Sequence, residues 1–166
     1  WSLVSGQAGM IVNPSTGLVS WTPLNNQVGS AVVTIQVDDG HAGTDTETWT
    51  ITVANTEPHF TSAPVLTATQ YSQYSYDANT DDDGQNPTNA AVTYSLLTSP
   101  DGMLIDPSTG LITWTPSNAQ VPGPNDVVVQ VNDGNNVANS TSTQSYRIEV
   151  TNIDPVIDSE PVTTAM

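Results

Sequence analysis

Apolar side chains recur at every second residue in several short runs of this chain. Residues 48–53 read Thr-Trp-Thr-Ile-Thr-Val, so Trp49, Ile51 and Val53 alternate strictly with threonines. Residues 31–37, 127–131 and 146–150 are rich in valine and isoleucine and alternate in the same sense. A period of two places such side chains on one face of a strand. Residues 71–76 put Tyr74 and Tyr76 on a common face. No stretch sustains the 3.6-residue period of a helix. Glycine and proline, 11 and 12 in number, punctuate the runs at Pro14, Gly17, Pro23, Gly40, Pro58, Pro107, Gly110, Pro116, Gly134 and Pro155. About seven short strands per unit with frequent turns predict an all-β sandwich.

Self-comparison organises these strands into a repeat. Residues 10–23, Met-Ile-Val-Asn-Pro-Ser-Thr-Gly-Leu-Val-Ser-Trp-Thr-Pro, return at 103–116 with nine of fourteen positions identical and a spacing of 93. Gln36-Val37-Asp38-Asp39-Gly40 then matches Gln130-Val131-Asn132-Asp133-Gly134, and residues 49–58 match 146–155. The register slips between motifs, as expected for loops of varied length between fixed strands. The unit is about 95 residues long, which divides the chain three ways. Residues 1–58 are the C-terminal part of a repeat without its first strands, with Trp1 aligned to Tyr94. Residues 59–155 are a complete repeat. Residues 156–166 open a third repeat or act as a donor strand. Asn13-Pro14-Ser15-Thr16-Gly17 and Asp106-Pro107-Ser108-Thr109-Gly110 read as tight turns: the Asn or Asp accepts from backbone amides, Pro presets φ and Gly takes the left-handed position. The run after each turn, ending in Trp21 or Trp114, reads as a buried strand.

The charge changes the picture of partners. Seventeen acidic residues face a single basic one, Arg147, for a net charge of −16 over 166 residues. A chain without Lys cannot displace phosphate counterions, which argues against nucleic acid, or dock by basic segments on an anionic membrane. No apolar run approaches the roughly 20 residues of a membrane span. No signal pattern stands at Trp1, which predicts a processed chain or an excised piece. There is no cysteine, so no disulfide framework. The menu of nucleophiles and bases is nearly empty, and the expectation is a non-enzyme. Asp101 and Asp106 could mimic a glycosidase pair, but both belong to or adjoin turn motifs. His41 and His59 lack a second ligand at metal spacing and read as incidental. Asn139-Ser140-Thr141 fits a glycosylation sequon.

The densest chemistry is Asp77 with Asp81-Asp82-Asp83-Gly84-Gln85-Asn86. Four carboxylates this close repel and raise one another's pKa unless a cation neutralises them. Ca²⁺ takes six to eight oxygens from carboxylates, carbonyls and water. The competing reading is a solvated loop tip. An EF-hand register fails, because its twelfth position is Ala90 rather than a bidentate glutamate.

The motif series resembles the dystroglycan-type cadherin-like, or putative-Ig, repeats of bacterial secreted and surface proteins. It is carried by Tyr94-x-Leu96, Gly102-Met103, Asp106-Pro107-x-Thr109-Gly110-Leu111-Ile112-x-Trp114-Thr115-Pro116, Asp133-Gly134 and Val150-x-Asn152. The resemblance implies tandem Greek-key β-sandwiches of cadherin/Ig-like type. It also implies an ion site at the repeat junction, where Asp81, Asp83 and Asn86 meet Asn55 and Glu57 from the preceding exit and Asp133 from a later strand. Asp77 completes the candidate set, and Asp38, Asp39, Asp45 and Glu47 are a secondary cluster. Trp-Thr-Pro replaces the family's acidic motif, and the linker is short, so one or two ions are expected. The implied role is a calcium-binding spacer or adhesion module outside the cell, whose partners are neighbouring repeats or copies of itself. The alternative is a carbohydrate-binding module of a polysaccharide-degrading enzyme, with Tyr71, Tyr74 and Tyr76 as an exposed aromatic strip. A third possibility is fibre assembly, with the tail at 156–162 completing the first repeat of another copy.

Overall fold

The computed structural model describes residues 1–82 and 92–160. In chain order the strands are β1 (Ser2–Ser5), β2 (Ile11–Val12), β3 (Val19–Ser20), β4 (Gly29–Asp38), β5 (Thr44–Val53), β6 (Thr67–Thr69), β7 (Tyr74–Asp77), β8 (Thr93–Thr98), β9 (Leu104–Ile105), β10 (Leu111–Trp114), β11 (Asn125–Asn132) and β12 (Thr141–Thr151). The β-branched runs form the long antiparallel pairs, β4 with β5 and β11 with β12. The architecture is all-β, as the alternating pattern predicts.

The later strands form two sheets, ordered β6-β12-β11-β8 and β7-β10-β9. Their facing sides bury Tyr74, Tyr76, Tyr94, Ile112, Trp114, Val127, Val129, Val131 and Ile148. Tyr74 meets Trp114 edge-on at 6.3 Å, and Tyr76 meets Tyr146 at 5.8 Å. The earlier strands form the sheet β1-β4-β5 and the hairpin β2-β3. Their core is smaller, with Met10, Val33 and Ile35 buried and Trp21 and Trp49 only half-buried against them. The two units share a register: Leu3 lies opposite Ile35 as Leu96 lies opposite Val129. No described strand in the first unit matches β6 or β7.

Both tight turns close as their sequences predict. Asn13 Oδ1 accepts from the backbone N–H of Ser15 (2.9 Å) and Thr16 (3.1 Å), and Asp106 Oδ1 from those of Ser108 (2.8 Å) and Thr109 (3.0 Å). Gly17 and Gly110 take φ +72° and +75°. A Cβ on Gly110 would run into the Ala78 carbonyl oxygen, and one on Gly17 would lie 2.8 Å from the Trp1 ring. Tyr94, the counterpart of Trp1, packs on Gly110 in the same way.

Three outcomes are expected at Gly110, Gly102 and Asp106. Gly110→Ala combines a left-handed φ with a backbone clash and should cost more than about 2 kcal/mol. Gly102→Ala, at φ +83° in open space, should cost about 1 kcal/mol; denaturant unfolding measures both. The Ser108 N–H first, and the Thr109 N–H next, hold the Asp106 carboxyl below the usual carboxylate range. A depressed folded pKa contributes stability above the unfolded value of about 4, and this is lost as pH falls through the folded value. Asp106→Asn, which reproduces Asn13, should keep the turn and flatten the fall of Tm below about pH 4.

Candidate functional site

The two units meet where the exit of β5 and the turn at Asn25–Gln27 lie against the loop between β11 and β12. That loop is built by polar side chains bonding to nearby backbone, the usual role of Asn and Asp in turns. Asn132 Oδ1 accepts from Gly134 N–H (2.7 Å), Asp133 Oδ1 from Asn135 N–H (3.0 Å), and Ser140 Oγ from Val137 N–H (3.0 Å). Gly134, Asn136 and Asn139 all take positive φ, which brings the loop back on itself.

Asp133 has no solvent exposure. Its second oxygen, Oδ2, accepts from Asn55 Nδ2 at 2.7 Å across 78 residues of chain. The same Asn55 amide donates to the Asn139 carbonyl at 2.9 Å, and Asn55 Oδ1 accepts from Asn135 Nδ2 at 2.8 Å. Asn25 joins from the first unit: its Nδ2 donates to the Asp133 carbonyl at 3.1 Å, and its Oδ1 accepts from Asn135 Nδ2. An unpaired buried carboxylate is costly. Here both oxygens are met by N–H donors, one of them on the other repeat.

The junction residues expected from sequence thus divide. Asn55 and Asp133 come together. Asp81 lines an adjoining cleft, about 500 Å³ in volume, together with Asn25, Asn55, Thr56 and Asp82 but not Asp133. Asp81 Oδ1 accepts from His59 N–H at 2.7 Å, and its Oδ2 lies 3.3 Å from His59 Nδ1. His59, incidental in the sequence reading, therefore holds Asp81 where the second repeat begins. Glu57 is exposed on the linker, and Asp77 is exposed at the end of β7 opposite Leu111; neither lines the cleft. Asp83 and Asn86 lie outside the described residues. Among the described residues, no three His, Cys, Asp or Glu side chains gather as a metal-binding group. Asn25 and Asn135 escaped the sequence reading, since nothing local distinguishes them from other loop asparagines.

In the secondary cluster, Asp39 is the counterpart of Asp133. It keeps the Asx turn, with Oδ1 accepting from His41 N–H (2.8 Å) and Gly43 N–H (3.0 Å), but it is exposed. The aromatic strip is corrected. Tyr74 and Tyr76 are 4% and 5% exposed, and only Tyr71, in a turn at φ +60°, is open to solvent. The pattern fixed a shared face, and that face is the core. Burial raises the phenol pKa of both Tyr74 and Tyr146. Arg147, the one basic side chain, is taken by Asp126 at 2.7 Å on the outer face.

Comparison with known proteins places both units in one family: the family described as Putative Ig domain matches residues 8–54 and 57–151. No curated protein sequence matches the chain. Among solved structures it is similar to an endo-fucoidan hydrolase of glycoside hydrolase family 107, at 20% identity and TM-score 0.43, covering 92% of this chain and 23% of that one. It is likewise similar to Drosophila N-cadherin EC1-3, at 13% identity and TM-score 0.43, covering 92% and 54%. A third is a putative α-galactosidase from Bacteroides fragilis, at 19% identity and TM-score 0.43, covering 57% and 18%. The chain spans about a fifth of the length of the two glycosidases. Among the described residues no helix is long and apolar enough to cross a membrane.

Asn55→Ala should leave Asp133 Oδ2 buried without a donor and cost about 1–3 kcal/mol in denaturant unfolding. Asn152→Ala, at the matching exposed exit of the second unit, should stay within about 0.5 kcal/mol.

Proposed function

The chain belongs to the Putative Ig domain family, and on that premise we propose that it is a non-catalytic, calcium-responsive spacer of a protein secreted or displayed outside the cell. Its repeats are of the dystroglycan-type cadherin-like kind, and its task is to hold successive sandwiches in a defined sequence for reach or adhesion. The observation that carries this is the 2.7 Å hydrogen bond from Asn55 to the fully buried Asp133. It ties the exit of one repeat to a loop of the next. A spacer requires such a joint, because two sandwiches on a free linker move independently by default.

The donor set at the cleft suits a hard cation. Asp81 and Asp82 bring carboxylates beside the Asn25 and Asn55 side chains, and oxygen donors of these two kinds are what Ca²⁺ prefers. The only basic side chain is committed elsewhere, to Asp126, so no guanidinium or ammonium competes for the site. In this proposal the ion sits on the Asp81–Asp82 side of the cleft and draws the start of the second repeat toward Asn25 and Asn55. The Asp133 network is the ion-independent half of the joint. Neighbouring repeats are the immediate partners.

Extracellular calcium modules bind at about 10⁻⁴–10⁻³ M. At tenfold saturation a site adds about 1.4 kcal/mol. Melting in 10 mM Ca²⁺ should therefore exceed melting in chelator by about 3–5 °C. The increment should vanish in Asp81→Asn/Asp82→Asn and survive in Glu57→Gln. Identical curves with and without Ca²⁺ for the unaltered chain would overturn the calcium part of the reading and leave the Asn–Asp joint.

A further inference from the structure

In the second unit the end of β8, the turn after it, the turn at Asn118–Gln120 and the start of β11 enclose a polar cleft of about 470 Å³. Every position around it has a counterpart in the first unit, so the two repeats compare residue by residue. Ser99 stands where the first unit has Gly6, Asp101 where it has Ala8, and Ser117 where it has Leu24. Asn125 stands for Ala31 and Asp126 for Val32. The shared frame does not need these polar groups. Met103 N–H donates to the Pro100 carbonyl at 3.2 Å just as Met10 N–H donates to that of Gln7 at 3.1 Å, so the turn closes with Asp101 or with Ala8. Gln120 Nε2 donates to the Asp101 carbonyl at 2.8 Å as Gln27 Nε2 does to that of Ala8 at 3.0 Å. One scaffold thus carries added chemistry in the second repeat.

Asn125 is 5% exposed. Its Nδ2 is committed, donating to the Gln120 carbonyl at 3.0 Å and at 3.4 Å to those of Gly123 and Ile148. Its Oδ1 accepts from no group among the described residues, although the side chain lines the cleft. A buried carbonyl oxygen is costly without a donor, and here the donor has to come from the cleft. The exposed Asp101 carboxylate likewise takes no hydrogen bond among the described residues. Asp126 differs, since Arg147 already holds both its oxygens, at 2.7 and 3.4 Å. What faces the cleft is therefore a free carboxylate, an orphaned carboxamide oxygen and the hydroxyls of Thr98, Ser99 and Ser117, edged by the carbon surface of Pro100 and Pro124. Acceptors dominate, so the ligand must donate. A hard metal ion would need more free carboxylates than these, and the guanidinium at Asp126 opposes a cation. Hydroxyl groups on a carbon ring meet both the acceptors and the prolines.

We propose that this cleft is a binding site for a neutral polyhydroxylated ligand, one or two sugar rings of a glycan. Adjacent ring hydroxyls donate to the Asp101 carboxylate, a further one donates to Asn125 Oδ1, and Ser99 and Ser117 bond the remaining oxygens. The volume suits a ligand of that size. The first unit, with glycine, alanine, leucine and valine at the matching positions, lacks these groups. Of those matching positions only Leu24 lines the junction cleft, so a joint of the kind described above leaves the sugar site open. The inference goes beyond the spacer reading and uses none of the junction oxygens.

The test titrates the ¹⁵N-labelled 166-residue chain with cellobiose, maltose, lactose, mannobiose and chitobiose, in chelator and again in Ca²⁺. With at least one of them, saturable amide shifts centred on Asp101, Ser117 and the Asn125 side chain are the expected result, the same with and without Ca²⁺. Asp101→Ala, which reproduces Ala8 and keeps the turn, should weaken that binding roughly tenfold. Its unaltered spectrum elsewhere would show that the fold is intact. No saturable shift with any of the five sugars up to about 0.1 M would overturn the proposal. So would equal binding by Asp101→Ala, or saturation of the same amides by lysine amide and not by a sugar, which would make the cleft a cation site.

Discussion

A carboxylate removed from water must be neutralised by whatever surrounds it, and in this chain that requirement decides how two sandwiches meet. Asp133 has its oxygens satisfied by one amide within its own loop and one from Asn55 in the preceding repeat. Neither repeat alone can meet the demand. Asp39, in the equivalent turn and likewise accepting from backbone amides, is exposed, and no side chain among the described residues covers it as Asn55 covers Asp133. Burial of Asp133 thus goes with the joint, and opening the joint would exchange the Asn55 amide at its carboxylate for water.

The same logic of satisfied edges separates the two halves of the molecule. β10 runs for four residues and buries Ile112 and Trp114 because β7 closes its outer side. β3, with nearly the same sequence, runs for two residues, and Trp21 falls beyond it, half-buried. Closely similar local sequence therefore gives a longer, better-buried strand where, among the described residues, a neighbour completes the ladder. Tertiary context decides strand length, as expected when β-propensity is largely a matter of packing.

Much of the fold was legible because alternation and turn chemistry are local. The Asn-Pro-Ser-Thr-Gly turns, the long hairpins and the equivalence of Trp1 with Tyr94 follow from residues adjacent in sequence or from repetition. The candidate site was legible only in part. Asn55 and Asp133 belong to repeated motifs and could be singled out, whereas Asn25 and Asn135 sit in turns whose partners lie 110 residues away. His59 was missed for a related reason: its role is to hold Asp81, a contact made by the path of the linker rather than by any spacing. The tyrosines show the limit of periodicity. A period of two says that Tyr74 and Tyr76 share a face, but not whether that face meets water or Trp114.

Arg147 bears on the resistance of this chain to proteolysis. It lies on β12, which is hydrogen-bonded to β11 there and to β6 just beyond, and the next residue, Ile148, has no solvent exposure. With no lysine anywhere in the sequence, the 147–148 peptide bond is the one cut available to a trypsin-like protease. That bond sits in the middle of a sheet, so digestion by such enzymes must wait for the second sandwich to unfold.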